Sequence, residues 1–244
     1  MSPGPLWSRD GVKAYFHYGN HQGFAAKTLL VSFPQQRRAL STYEGLKDVL
    51  FACIHYAPKE FWAGIRSVRE AESYVASYLS SLDVPREKTA CLMTAADVEK
   101  ASVKVEEYKS LWFAAFATAG TKHNAMRAGV DEAQCWEDDM EFYCGVGTIS
   151  IILTTNATLT EAAMARAIIT ATEAKVAALE DFGVESSYTK GVKATGTGTD
   201  NVVVVSGIER PVITYTGGHA KAGELIARAV YKAVLDALRK EREG

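Results

Sequence analysis

Hydrophobic positions along the chain follow two habits. Some form short β-rich runs bounded by turn-formers, and others recur every three to four residues over longer stretches. The first habit predicts strands and the second helices, because side chains repeat with a period of about 2 on a strand and about 3.6 on a helix. The stretch from Gly147 to Gly183 holds one of each. Ile149, Ile151, Ile152 and Leu153 form a run that reads as a buried strand. Thr158 then offers an N-cap, with Glu161 three residues later to complete a capping box. Gly183 offers a left-handed C-cap, with apolar Val184 beyond it. The helix between them is rich in alanine and predicts close approach to its neighbours. A helical wheel places Arg166, Thr170, Glu173, Glu180 and Asp181 on one polar stripe. Thr172 and Lys175 fall outside it, on the side of Ala165, Ile168 and Leu179. A lysine on that side either carries its ammonium out to solvent along its stem or needs a partner or ligand, since a buried unpaired charge is costly.

Elsewhere the pattern predicts strands at Val12 to Tyr18 and Lys27 to Phe33, joined by the loop GNHQG. Further strands are expected at Ala39 to Ser41, Val49 to Tyr56, Ala90 to Met93 and Leu111 to Ala117. Val75, Tyr78, Leu79 and Leu82 recur at helical spacing within Val68 to Leu82. Ala95 to Ser102 reads as a helix begun near Thr94, and Val130 to Met140 as a polar excursion. Val202 to Val205 is a strand, with Pro211 to Tyr215 as its expected hairpin partner. A last amphipathic helix runs from about Ala220 to Lys240. No repeat, linker or low-complexity tail divides residues 1–244, so a single domain is expected.

Composition narrows the function classes. With 48% hydrophobic and 23% charged residues the chain is an ordinary globular one. A formal net charge of −2 gives no case for a nucleic-acid surface. No apolar run is long enough to span a bilayer, and the N-terminus lacks a signal peptide's apolar core. Cys53, Cys91, Cys135 and Cys144 form no CxxC pair, and Cys53, Cys91 and Cys144 sit in apolar runs. A reducing cytoplasm is the expected compartment. The histidines form no HExxH motif, so a zinc-hydrolase signature is missing, and no protein-held metal is expected.

Three loops share one character: TAGTKHN (Thr118 to Asn124), TGTGTD (Thr195 to Asp200) and TGGHAK (Thr216 to Lys221). Each is rich in glycine and threonine and abuts a strong strand. Glycine lets backbone N–H groups approach a ligand, and a helix N-terminus adds positive potential. Such loops can hold a carboxylate or a developing oxyanion. Any one of them alone reads as an ordinary turn; their similarity predicts a shared site.

Longer motifs then carry a resemblance. GTISIILTTNATLTEAAMARAIITATEAKVAALEDFGV, ATGTGTDNVVVV and YTGGHAKAGELIARAVYKAV, in that order, closely resemble the adenosylcobinamide amidohydrolase (CbiZ-type) family. TAGTKHNAMRAG and LLVSFPQQRRALST look like further landmarks of that family. The resemblance covers nearly the whole chain from about Leu29 and is strongest from Thr118 to Val234. It implies hydrolysis of the amide that joins aminopropanol to the corrin propionate, with adenosylcobyric acid and the amino alcohol as products in corrinoid salvage. The implied partner is adenosylcobinamide or a related corrinoid, with no nucleic acid and no membrane, and a homodimer is allowed. No cofactor is implied, because the cobalt belongs to the substrate. A non-catalytic corrinoid-binding protein is the alternative from another class. A second, weaker resemblance is to self-processing aminopeptidases and ornithine acetyltransferases, which stack helices on two packed sheets and use a threonine or serine freed by chain cleavage. Thr148, Thr154 and Thr155 are the residues to compare with that nucleophile. The expected architecture is α/β: mixed sheets, with two packed layers an option, flanked by helices in an αββα-like single domain.

Amide hydrolysis needs an activated water or nucleophile, an oxyanion stabiliser, and an acid for the leaving amine. His219 is the candidate base or acid by residue type. Asp200 and Glu224 are the carboxylates that would orient it or activate water. Asn124, Asn156, Thr197 and Thr199 are candidates to hold the substrate amide, and Lys175 and Lys221 to stabilise charge. Plainer roles compete: Asp200 as a turn cap, Asn156 as part of the turn before the helix, and Glu224 as an i+4 partner of Arg228.

Overall fold

The computed structural model describes residues 4–65, 67–133 and 148–243. In chain order the strands are β1 (Trp7–Arg9), β2 (Val12–His21), β3 (Phe24–Ser41), β4 (Gly45–Tyr56), β5 (Thr89–Thr94), β6 (Ser102–Tyr108), β7 (Leu111–Ala119), β8 (Ala125–Met126), β9 (Ile149–Thr155), β10 (Ala157–Leu159), β11 (Gly196–Thr197), β12 (Asn201–Val205) and β13 (Glu209–Ile213). The helices are α1 (Lys59–Gly64), α2 (Val68–Ser81), α3 (Glu161–Phe182) and α4 (Lys221–Glu243).

The first hairpin turns on Gln22 and Gly23, whose φ values of 51° and 85° are left-handed. That backbone suits a two-residue loop between right-twisted strands. Most of the expected GNHQG loop is therefore strand, with Gly19, Asn20 and His21 paired to Ala26, Ala25 and Phe24. β3 continues to Ser41, so the expected short strand at Ala39 is its far end. A register shift between Ser32 and Arg37 bends it. Its first half pairs with β2, and its last residues pair with β12.

That bend carries the chain from one sheet layer to the next. β1, β2, β3, β4 and β5 form one layer; β12, β9, β7 and β6 form the other, joined through the end of β3. Leu29, Val31, Ile54 and Leu92 of the first layer meet Trp112, Phe116, Ile152 and Val203 of the second in a dry core. Outside the first layer, Leu30, Cys53 and Cys91 pack under Phe61, Tyr74, Val75 and Leu79 of α1 and α2. Outside the second, Ile149, Ile151 and Leu153 pack under Met164, Ala167 and Ala171 of α3 and Ile226 and Val230 of α4. Helix, sheet, sheet, helix is the αββα order that was expected.

Some local expectations fall to tertiary competition. The N-cap of α3 is Thr160, whose side chain accepts from Ala163 N, because Ala157–Leu159 is taken up as β10. Thr158 instead donates to Glu209 O at 3.0 Å, and Glu161 meets Arg38 at 3.2 Å. β13 pairs with β10 rather than with β12, since both edges of β12 are already occupied by β3 and β9. The expected helix at Ala95 to Ser102 is one 3-10 turn, Val98–Lys100, because Ser102 is claimed by the β6–β7 ladder. Thr170 lies buried under the Thr216 loop, while Thr172 and Ala165 face out, so the polar stripe drawn on α3 breaks at Thr170. Of the excursion at Val130 to Met140, residues from 134 on lie outside the described residues, as do Cys135, Trp136, Cys144 and Gly147.

Under α2, His55 of β4 is fully buried. Its Nδ1 lies 2.8 Å from Thr28 Oγ1, and its ring stands 4.9 Å from that of Tyr78. Burial, with a smaller contribution from His21, lowers its pKa to about 4. The unfolded chain therefore binds the proton first on acidification, starting near the ordinary histidine value of about 6.5. Neutral His55 contributes fully above that value, and its contribution is lost as pH falls toward 4, amounting to about 3 kcal/mol there. Denaturant melts of His55→Phe across pH 7 to 4 should show a flatter acid limb than the wild type; parallel limbs would remove His55 as the titrating group.

Candidate active site

β9 and β12 run parallel, with Asn201 beside Ser150 and Val205 beside Thr154. The helix α3 lies between them in sequence. Their starting ends therefore form one rim of the second layer, and Thr155 and Val205 form the opposite rim.

At the starting rim the buried lysine finds its partner. Lys175 is only 7% exposed, and its Nζ donates to Asp200 Oδ2 in a short ion pair. Asp200 also accepts from Thr197 N at 3.0 Å, from Thr197 Oγ1 at 2.5 Å and from Ile149 N at 2.9 Å. Asp200 thus caps the 197–200 turn and holds the cation at once. Gly196 makes the close approach possible: a Cβ there would lie 2.3 Å from Asp200 Oδ2 and 2.6 Å from Lys175 Nζ. The reading in which Lys175 reaches solvent is corrected, because Ala171, Ala174, Ala178 and Leu179 around it are buried in the core on the second layer and the turn at Gly196 closes over its ammonium, while Thr172 and Ala165, expected on its side, face out.

The loop from Thr118 to Asn124 is laced to this centre. β8 pairs with β11, placing Ala125 opposite Thr197. Gly198 N donates to Asn124 O at 3.3 Å, and Tyr188 OH donates to Asn124 Oδ1 at 2.8 Å. Gly120 N donates to Thr148 O at 3.0 Å. Thr121 is tied by its N–H and hydroxyl, each 2.8 Å from a carboxylate oxygen of Glu241 on α4. Thr148, at the mouth of β9, donates its hydroxyl to Thr199 O at 2.5 Å. Outside Gly120 a cleft of about 140 Å³ opens, with Lys59, Lys100, Lys122 and His123 set against Asp97 and Glu241.

The third loop is elsewhere. Thr216 accepts from Thr170 Oγ1 at 2.9 Å and donates to Ala163 O at 2.7 Å, near the start of α3. Ala163 and Lys175 are twelve residues apart on the helix, about 18 Å along its axis. The expectation of three loops in one cradle is corrected to two, because α3 and α4 start at the rim where β9 and β12 end. His219 is exposed there. Glu224 pairs with Lys221 and, at 2.9 Å, with Arg228, and the Lys221 hydrogen bond holds its carboxyl below the usual range. Asn156, at the same rim, donates to Ser110 O at 2.9 Å and accepts from Trp112 N at 3.2 Å, bracing the turn after β9. Asn124, Lys175, Thr197, Thr199 and Asp200 come together; Asn156, His219, Lys221 and Glu224 do not join them. Thr148 is part of the centre but stood in the sequence only as one of three threonines to compare, and Tyr188 gave no signal at all. Among the described residues no group of His, Cys, Asp or Glu is placed to hold a metal, and no helix is long and apolar enough to cross a membrane.

The family model for CbiZ, adenosylcobinamide amidohydrolase, matches residues 13–244. The chain belongs to the CbiZ family. Membership makes it an amidohydrolase, and the Lys175–Asp200 centre is a feature of this CbiZ chain. A Methanocaldococcus jannaschii protein named "Uncharacterized protein MJ1613" is 43% identical over 225 residues, covering 88% of this chain and 87% of that one. The Methanosarcina mazei "Adenosylcobinamide amidohydrolase" is 34% identical over 152 residues, covering 59% of this chain and 62% of that one. Among solved structures, the PH0078 protein of Pyrococcus horikoshii superposes with a TM-score of 0.43 at 12% identity, covering 98% of this chain and 82% of that one. The L-aminopeptidase D-Ala-esterase/amidase of Ochrobactrum anthropi gives a TM-score of 0.42 at 11% identity, covering 95% of this chain and 84% of that one.

Proposed function

We propose that this CbiZ chain hydrolyses the amide between aminopropanol and the corrin propionate of adenosylcobinamide, giving adenosylcobyric acid and the free amino alcohol, a corrinoid-salvage step. Family membership supports the substrate. The observation that carries the location of the chemistry is the buried Lys175–Asp200 pair, on which two glycine- and threonine-rich loops converge. Amide cleavage develops negative charge on the carbonyl oxygen, and a preorganised cation in a partly dry site stabilises that charge without reorganising. Lys175 supplies the cation. Asp200 fixes it, because its carboxylate is itself held by Ile149 N and Thr197. Asn124 and Thr197 are laced around the pair, with Thr199 next to Asp200, and we place the substrate's side chain in the cleft outside Gly120, which Lys122 and His123 of the same loop line. The cobalt stays with the substrate, and the protein supplies positioning and charge.

Incubation with adenosylcobinamide and chromatography for both products tests this directly. Release of aminopropanol and adenosylcobyric acid in equal amounts is expected. Tight binding of the corrinoid without release would instead make the chain a carrier.

A further inference from the structure

We infer that the cleft outside Gly120 is a phosphate site, and that the phosphate it takes is an ester on the amino alcohol of the substrate, a placement that rests on the amide-hydrolysis reading above. The cleft gathers cations from three separate stretches of the chain. Lys59 comes from the start of α1, Lys100 from the end of the 3-10 turn after β5, and Lys122 with His123 from the loop after β7. Among the described residues none of these four side chains makes an ion pair or a hydrogen bond. The two carboxylates of the lining are already taken. Asp97 accepts from Lys27 at 3.1 and 3.2 Å and from Glu99 N at 3.1 Å. Both oxygens of Glu241 accept from Thr121 at 2.8 Å. The spare capacity of the cleft is therefore cationic and donating. Ammonium groups gathered in one concavity repel each other, and an anion between them removes that cost. The chain as a whole has a formal net charge of −2, so these cations are not a sample of a generally basic surface.

Phosphate suits this set better than a carboxylate does. A phosphate monoester presents three terminal oxygens and close to two negative charges, against two oxygens and one charge on a carboxylate. Lysine meets phosphate as a compact point charge with three rotatable N–H donors. Three lysines and an imidazole can share those oxygens, and the cleft of about 140 Å³ has room for the group. The loop that supplies Lys122 and His123 continues into Asn124, whose carbonyl accepts from Gly198 N at 3.3 Å beside the Lys175–Asp200 pair. Cleft and pair are thus tied to one loop. With the scissile amide at the pair, the amine side of the substrate enters the cleft, and its hydroxyl is the group to which a phosphoryl ester attaches. The inferred preference is for amides whose amino alcohol is phosphorylated over those in which it is free.

The test uses the full chain in two arms. The binding arm needs no corrinoid. In calorimetric titrations at fixed ionic strength, inorganic phosphate should bind the wild type at least about tenfold tighter than acetate. Lys100→Met and Lys122→Met should each weaken phosphate about tenfold, as loss of one charge-assisted contact does, and Lys100→Arg should keep most of the affinity. The kinetic arm compares adenosylcobinamide with the same compound phosphorylated on its aminopropanol hydroxyl. The phosphorylated form should show a kcat/KM at least about tenfold higher, and both Met variants should bring that ratio toward one. Absence of phosphate binding, or acetate binding equally well, overturns the site, and the wild-type titrations decide this even if a variant fails to fold. Phosphate binding that both Met variants leave intact overturns it too. Binding lost in both variants, with no preference for the phosphorylated substrate, keeps the site, assigns it to free phosphate and overturns the placement on the substrate. Phosphate bound in the cleft of a chain that cleaves neither corrinoid sinks the amide reading and leaves the site standing.

Discussion

Asp200→Asn should leave a folded but weakened protein with almost no turnover. The amide turns one acceptor oxygen into a donor, facing either Lys175 and Thr197 N or Ile149 N, and leaves the buried ammonium without its counter-charge. Removing one partner of a buried pair costs about 3–5 kcal/mol. For a chain of this length that is a fall in Tm of roughly 6–20 °C. The same change misplaces the cation meant for the oxyanion, so kcat should drop about 10²–10³-fold. A double variant, Lys175→Met with Asp200→Leu, separates the two effects. It removes both charges, so much of the stability should return, while turnover should stay absent. Calorimetry and product release on the same samples decide it. A single variant that melts with the wild type and turns over normally would reduce the pair to a turn cap.

Gly223→Ala should destabilise the fold, against the sign that helix propensity predicts. Gly223 lies in the first turn of α4, where exchanging glycine for alanine ordinarily gains up to about 1 kcal/mol. Here an added Cβ would sit 2.1 Å from Gly217 O and 2.6 Å from Thr216 O. Both neighbours are backbone, and Gly217 O already accepts from Ala220 N at 2.9 Å. Relief requires α4 to move off the loop whose Thr216 carbonyl is held by Thr170. Overpacking of this kind costs about 1–3 kcal/mol and sometimes more. Chemical denaturation with a shared slope would show it as a lower midpoint. An unchanged or raised midpoint would mean that the approach of the 216–217 loop to α4 is looser than described. Turnover per folded molecule should hold, since this contact is at the rim opposite Asp200.

These expectations show what could be read before folding and what could not. The strand Ile149–Thr155, the helix ending on Gly183 and the layered αββα order follow from periodicity, caps and the family resemblance. The need of Lys175 for a partner was legible too, because an ammonium on an alanine-rich face is an imbalance visible in the residues alone. Its partner was not. Asp200 is 25 residues further on, and only the β8–β11 pairing and the return of the chain into β12 bring it there. His219 shows the converse. Residue type and a Gly–Gly helix entry made it the natural base, yet it sits in an exposed loop at the other rim.

By itself the sequence determined most of the elements, because caps, turns and apolar spacing are encoded by residues within a few positions of one another, and its long motifs carried the resemblance that gave the family and the expected layers. Tertiary structure alone decided which loops share a rim, which carboxylate meets Lys175, and which lysines converge on the cleft outside Gly120. The physical reason is direction. Parallel β9 and β12 gather their starting ends on one side and send the entries of α3 and α4 to the other, and strand direction is a property of long-range pairing that no local window contains.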